Sequence, residues 1–506
     1  MKKNVLLALL FILLIPCILN AQKKGKSVKT TKSDVGYEIV FDVANAPDTI
    51  LYLAVYYRDK LILRDSAKAY TPIYGSPKYT GRTTYVFRGQ NPCQRGLYKL
   101  VSQKRFPYLD FVIDGNQFFH VQCDTTGKVD NVSFVNSPQN DEVLAFQKKT
   151  VSAQQQMSSY RKGLEEAKHS NNQAEIDRWT EKIKILNAEM DTFIRNLREV
   201  HPEYLFSKMQ KSYKQIEIPD PPVRADGTID STFQLRYYLT HYWDNVDLSD
   251  NGLLFTPVME PKIKEYFDKY LQYSEPDTIN KYVDMVLEKA SKDTLMYHFF
   301  VDWLAYHYET SKMLGHDGVF VHLVKNNHMQ GKCTWIDEDL LRKYEKRVKH
   351  LDPLLIGKQS VELLIPDTSM TDDVRLWHSS YRLPKPYVIL WFYDPDCPTC
   401  KKESEKLSKL YDSLERVGAR NFDVYAIGND ADIARWKKYV KEHNYPWINV
   451  GGNKANVDYL DAYNIYETGN PAMFILNEKR EIILNRRIEI STIPEFLQQY
   501  EKRKHK

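Results

Sequence analysis

Cysteine is scarce in this chain. Six cysteines among 506 residues cannot staple a protein of this length, so a disulfide-built scaffold is excluded as its organising principle. Beyond Cys17, which lies in the amino-terminal lead, the cysteines are Cys93, Cys123, Cys333, Cys397 and Cys400. Their odd number leaves at least one thiol unpaired within a monomer. A surplus of one charge is also missing. The formal net charge of +5 falls to +3 once Lys2 and Lys3 are set aside. No basic stripe interleaved with aromatics stands out, which argues against a nucleic-acid partner. Metal-site spacing is absent too. His298, His307, His316, His322 and His328 are numerous, but no two stand four apart on a helix and no Cys-x-x-Cys accompanies them, so they read as surface or core histidines. No cofactor or metal is expected.

What is present begins with an export pattern. Lys2 and Lys3 precede an apolar run from Val5 to Ile15 that is too short for a confident membrane span. Leu19-Asn20-Ala21 then offers a cleavage site ahead of Gln22. Residues 1–21 read as a signal peptide and 22–34 as a flexible, lysine-rich lead. A lipid-anchored form through Cys17 is the minor alternative, disfavoured by Pro16. The remaining roughly 480 residues imply two to four domains.

From 35 to 137 the reading is a β-sandwich-like domain. Segments such as Tyr37–Phe41, Ile50–Tyr56, Thr84–Phe87, Gly96–Val101, Phe111–Ile113 and Phe118–Val121 are short and rich in β-branched and aromatic residues. They are expected to pair antiparallel, with Asp114-Gly115-Asn116 as a hairpin turn. Near Asp141 the pattern turns helical. Ile176, Trp179, Ile183, Leu186, Met190, Phe193 and Leu197 alternate steps of three and four, a continuous seam on one helix face. Met157, Tyr160 and Leu164 repeat the step, and His169-Ser170-Asn171-Asn172 breaks the two. A helical hairpin over 138–215 is expected, with helix packing favoured over a partner-binding coiled coil, and a bend or new helix at Pro202. Pro219, Pro221, Pro222 and Gly227 mark a linker over 216–230. Helical patterns at 231–243, 257–271, 277–290, 293–311 and 337–350 fill a helical domain over 231–351, where Cys333 reads as a lone thiol.

The carboxyl region, 352–506, carries the chemistry. Tyr387–Tyr393 is an apolar strand, and Cys397-Pro398-Thr399-Cys400 stands where it gives way to a charged helix over 398–416. A strand at 422–427, a helix at 431–442, strands Ala472–Leu476 and Glu481–Leu484 and a helix from Thr492 complete a β-α-β-α-β-β-α order. Two cysteines so spaced at a helix start can alternate between dithiol and disulfide. Cys397 lies where free N–H groups and the helix dipole favour a thiolate, so it is the expected attacking sulfur. Cys400, one turn on, can resolve a mixed disulfide. Pro398 is cheap at a first helical position. A structural disulfide or a metal half-site are the rival readings of the pair; the first leaves its placement unexplained and the second lacks two ligands.

Residues 352–506 resemble a thioredoxin-like domain of the TlpA/ResA type, an exported thiol–disulfide oxidoreductase module. Cys397 and Cys400 match its redox pair, Pro471 the proline facing the disulfide, and Glu442–Trp447 a family segment further on. Less specifically, the whole resembles a three-part Bacteroidetes architecture: an N-terminal β-sandwich, an all-α middle region and a C-terminal α/β thioredoxin-like fold. The resemblance implies catalytic Cys397, Cys400 and Pro471, the last in cis, where the bland reading is an ordinary loop proline. It implies a soluble periplasmic protein acting on cysteines of exported proteins, more in the reducing direction, fed by a membrane-linked thiol reductant. A non-catalytic envelope scaffold, an accessory subunit of an outer- or inner-membrane complex, is the alternative. In an oxidising compartment a Cys93–Cys123 disulfide is open. One departure stands out: Trp391 takes the place where many such domains carry a buried acid, and Asp394 and Asp396 lie close to the motif, where negative charge would oppose a thiolate.

Overall fold

The computed structural model describes residues 36–504 apart from 225, 369–375, 431 and 453. The signal peptide, Cys17 and the lead expected over 22–34 lie outside the described residues.

The first unit is a sandwich of two four-stranded sheets. Its strands are β1 (Tyr37–Ala44), β2 (Ile50–Tyr57), β3 (Lys60–Lys68), β4 (Arg82–Gly89), β5 (Gly96–Val101), β6 (Pro107–Ile113), β7 (Phe118–Asp124) and β8 (Ser133–Val135). One sheet runs β4-β1-β7-β8, the other β3-β2-β5-β6. Tyr37, Ile39, Phe41 and Val43 alternate inward along β1, as a half-buried strand requires. Phe41 meets Phe87 of its own sheet and Phe111 of the other edge-on, at 5.6 and 5.4 Å between ring centres. Three expectations need correction. Asp114-Gly115-Asn116 joins β6 to β7, which belong to different sheets, so it is a crossover and not a hairpin. Asp114 is drawn there by partners outside the turn, accepting from Arg95 and from the Leu205 N–H. The pairing is not uniformly antiparallel, since β1 and β7 run parallel. Strands β3 and β8 were not anticipated; β3 is mostly exposed and shows no inward alternation.

Helices α1 (Pro138–His169) and α2 (Gln173–Val200) form the expected hairpin. Asn172 caps α2, its side chain accepting from the Glu175 N–H at 3.3 Å. The helices approach closely at Gly163, where a Cβ would fall 2.5 Å from Trp179. Of the seam, Leu186 and Leu197 are buried and the other five residues half-buried. After Pro202 the chain enters α3 (Leu205–Ser212). Among the described residues of 216–230 there is no helix and one isolated bridge, Val223 to Ile229.

The helical unit contains α4 (Phe233–His241), α5 (Met259–Lys264), α6 (Pro276–Ala290), α7 (Thr294–Thr310), α8 (His316–Leu323) and α9 (Glu338–Leu351). The single helix expected over 257–271 is α5 continued by a π-helical turn, Glu265–Tyr270, and α8 was not anticipated. Its core is aromatic: Trp243 packs on Tyr266 and Phe300 at 5.4 and 5.6 Å. That core is continuous with the sandwich core. Arg95 ties the two by bridging Asp114 and Asp250.

The last unit adds β9 (Leu364–Pro366), β10 (Trp377–Ser379), β11 (Tyr387–Tyr393), α10 (Pro398–Arg416), β12 (Phe422–Gly428), α11 (Ile433–His443), β13 (Ile448–Gly451), α12 (Tyr459–Ala462), α13 (Ile465–Thr468), β14 (Ala472–Leu476), β15 (Ile482–Leu484) and α14 (Ile493–Lys504). Five strands form one mixed sheet, β13-β12-β11-β14-β15. β12 runs parallel to β11 and β13, and β14 antiparallel to β11 and β15. Every residue of β11 and β12 is buried, which explains the unbroken apolar run of β11; the one charged residue of β12, Asp423, pairs with Arg420 at 2.6 Å. Separate cores cover the two faces, one holding Trp391 and Cys400, the other Phe392 and Phe474. Strand β13, four residues on the sheet edge, was not anticipated. Among the described residues no helix is long and apolar enough to cross a membrane.

Candidate active site

The site lies at the end of β11, where the chain turns into α10. Cys397 is the N-cap of that helix, with Pro398 at its first position. The Cys397 N–H donates to Asp394 O at 3.1 Å. The Cys400 N–H donates to Cys397 Sγ at 3.2 Å. A backbone donor and the positive end of a 19-residue helix therefore meet at one sulfur. Cys397 is partly exposed and Cys400 fully buried. Burial pushes the Cys400 thiol up to about 12, against an opposing pull from the Asp394 backbone. The two sulfurs thus differ in access: Cys397 is open to solvent and Cys400 is not.

The loop before β14 closes the site from the other side. The Asn470–Pro471 peptide bond is cis, and Cys397 Sγ lies 4.0 Å from the Asn470 carbonyl oxygen. All three residues singled out from the sequence, Cys397, Cys400 and Pro471, are brought together.

Trp391 is buried, and its indole N–H donates to Ser404 Oγ, one turn beyond Cys400, at 2.9 Å. The position open to an acid is filled by an aromatic ring whose polar atom is already satisfied. Asp394 accepts the Asp396 N–H at 2.8 Å. The Asp396 carboxylate, beside Cys397, pairs with Arg435 of α11 at 2.8 Å. Arg435 also forks onto Asp430 with two bonds of 2.6 Å, and that contact holds the Asp430 carboxyl below the usual range. Of the two charges expected to oppose a thiolate, that of Asp396 is therefore partnered. Sequence reasoning missed Arg435, Asp430 and Asn429; the last donates from its side chain to Asn470 Oδ1 at 2.7 Å.

The other candidates lie apart from this site. The Cys93 backbone is tied to the Gln117 side chain by bonds of 2.7 and 3.0 Å, just before β7, whereas Cys123 pairs with Val43 near the far end of that strand. Six residues of extended strand separate the levels by about 20 Å, and a disulfide needs Cα atoms within roughly 7 Å. Both thiols are free. Cys333 is buried, its thiol pushed up to about 12 by burial. The histidines are dispersed: His298 on Asp302, His307 on Asp268 and His322 on Asp284. His316 bonds Ser311 Oγ and Gln272 O, while His328 is buried against Tyr344. Among the described residues no group of three or more His, Cys, Asp or Glu could hold a metal ion.

Residues 385–482 match a family model described as thioredoxin-like. Residues 206–351 match a domain of unknown function, DUF5106, a span that takes in most of α3 as well as α4 to α9. No curated protein matches the chain. A thioredoxin-like protein of Bacteroides caccae is similar in structure at 18% identity, with 56% of this chain and 100% of that one covered and a TM-score of 0.40. A domain of a possible thiol-disulfide isomerase from Cytophaga hutchinsonii is 32% identical over 30% of this chain and 99% of its own, with a TM-score of 0.26. The thioredoxin domain of a thiol-disulfide oxidoreductase from Bacteroides vulgatus is 20% identical over 29% and 96%, with a TM-score of 0.25.

Proposed function

We propose that the protein is a periplasmic thiol–disulfide oxidoreductase acting on disulfides of exported proteins, chiefly as a reductant. The observation that carries this reading is Cys397 Sγ at the start of α10, 3.2 Å from the Cys400 N–H and 4.0 Å from the Asn470 carbonyl oxygen. In the first step the Cys397 thiolate attacks one sulfur of a substrate disulfide. A Cys397–substrate bond forms, the substrate S–S bond breaks, and the second substrate sulfur leaves as a thiolate that takes up a proton. Cys400 then loses its proton and attacks Cys397 Sγ. The Cys397–Cys400 disulfide forms and the remaining substrate sulfur leaves. Two electrons have passed to the substrate, and a membrane-linked thiol reductant returns them.

Export through the first 21 residues, and solubility after cleavage, belong to the same proposal. The sandwich and helical units dock the redox domain to its partners in this reading. The test is turnover of a protein disulfide by the mature chain, together with the equilibrium potential of the Cys397–Cys400 pair against glutathione. C397S and C400S should abolish turnover. A double-serine variant that retains full function in cells would instead favour the scaffold.

A further inference from the structure

Asn429, the first residue after β12, is held from both ends. Its backbone N–H donates to Tyr393 O, at the end of β11, at 2.8 Å. Its side-chain Nδ2 donates to Asn470 Oδ1 at 2.7 Å. Asn470 in turn presents its carbonyl oxygen 4.0 Å from Cys397 Sγ. A single chain of contacts therefore runs from the ends of the two central strands, through one pair of amides, to the sulfur that reacts. On its other side the loop is anchored by Gly469, whose N–H donates to Ile465 O at 2.8 Å, and by Thr468, whose hydroxyl donates to Asn464 O at 2.9 Å. Gly469 itself sits at φ +72°, a conformation that side chains resist, so the loop's path between α13 and β14 is specific. Among the described residues the remaining amide atom, Asn429 Oδ1, has no hydrogen-bond partner.

We infer that Asn429 is a positioning residue for thiol–disulfide exchange, fixing the Asn470 loop against Cys397 and so setting how a substrate chain is presented to the attacking sulfur. The inference rests on the oxidoreductase reading for its consequence in turnover, and on geometry alone for the fixing of the loop. Attack on a disulfide requires three sulfurs in line, and small misplacements of the groups that align them are amplified in rate. A small disulfide can find that alignment by itself. A polypeptide laid across the loop depends on where the loop stands.

The test uses the full mature chain and the variants N429A, N470A and N429A/N470A. Amide hydrogen exchange at residues 469–473 should speed up about ten-fold in either single variant. The double variant should add nothing further, because both substitutions remove the same bond. With a disulfide-linked peptide as substrate, KM should rise about five-fold in N429A with a small change in kcat. Turnover of the small disulfide 5,5′-dithiobis(2-nitrobenzoate) and the midpoint of urea unfolding should stay near the parent values. Unchanged loop exchange in N429A, or additive effects in the double variant, overturns the positioning whatever the turnover. A parent protein that reduces no disulfide, yet whose loop loosens in N429A, overturns the oxidoreductase reading and sustains the positioning. Should N429A fail to fold, N470A removes the same bond from the loop side and carries the same expectation.

Discussion

Arg435 reaches the Asp396 carboxylate at 2.8 Å, one residue before Cys397. The contact joins α11 to the turn that delivers the reactive sulfur. Without it Asp396 would stand beside a thiolate with its charge unpaired. R435A should therefore slow alkylation of Cys397 by iodoacetamide at neutral pH. Both partners are about half exposed, so solvent weakens the pair. The expected slowing is at most a few-fold, and it should shrink in high salt as screening removes the interaction. Equal rates in R435A and the parent at low salt would show that Asp396 does not act on the sulfur.

The two thiols should differ sharply in access to alkylating reagents. Burial pushes Cys400 up to about 12, so it stays protonated across the neutral range. Mass-mapped alkylation of the reduced protein between pH 6 and 9 should label Cys397 and leave Cys400 unlabelled until the protein is unfolded. C400S should trap a mixed disulfide through Cys397, and C397S should trap almost none. Comparable labelling of both thiols near neutral pH would reverse their assigned roles.

The placement of the cysteine pair at a strand-to-helix junction was legible in the sequence because its signal is local. An apolar run, four residues of Cys-x-x-Cys and a charged helical pattern are contiguous, and the structure needs nothing remote to place them. The parts that went unread are set by distance or by exposure. Asn429 and Asn470 are 41 residues apart, and nothing in either neighbourhood announces that their amides meet. The same holds for Arg435 and Asp396. Strand β3 carries Lys60, Arg64, Asp65 and Lys68 on a largely exposed edge, so it lacks the alternation by which strands are recognised. Asp114-Gly115-Asn116 has the composition of a tight turn, but composition cannot say whether the strands it joins share a sheet.

Separation of Cys93 and Cys123 gives a prediction about thiol number. Oxidised protein, unfolded and alkylated without reduction, should carry three adducts, at Cys93, Cys123 and Cys333, with Cys397 and Cys400 protected as a disulfide. The pair would have to cross about 20 Å along β7 to join, so the sandwich would need to come apart first. One adduct instead of three would mean that Cys93 and Cys123 had found each other and that the pairing of β7 with β1 is wrong.

Acid should loosen the redox domain through Asp430. Its side chain is fully buried and accepts two bonds from Arg435 and one from the Asp432 N–H, which hold its carboxyl below the ordinary value. A carboxyl depressed in the folded state stabilises fully above its unfolded-state pKa, about 3.9, and that stabilisation is lost as pH falls through the lower folded-state value. The sign is therefore fixed: the contribution is present at pH 7 and fades on the acid side. D430A should lower stability at pH 7 by about 1–3 kcal/mol, the ordinary worth of hydrogen bonds to a buried charge. Near pH 3 the gap from the parent should narrow, because the parent is losing the same contribution. Urea unfolding of both proteins at the two pH values checks this. A gap that stays constant down to pH 3 would show that Asp430 serves by packing and not by its charge. The same variant frees one side of Arg435, so a concurrent change in Cys397 alkylation would tie the acid response of the fold to the reactivity of its sulfur.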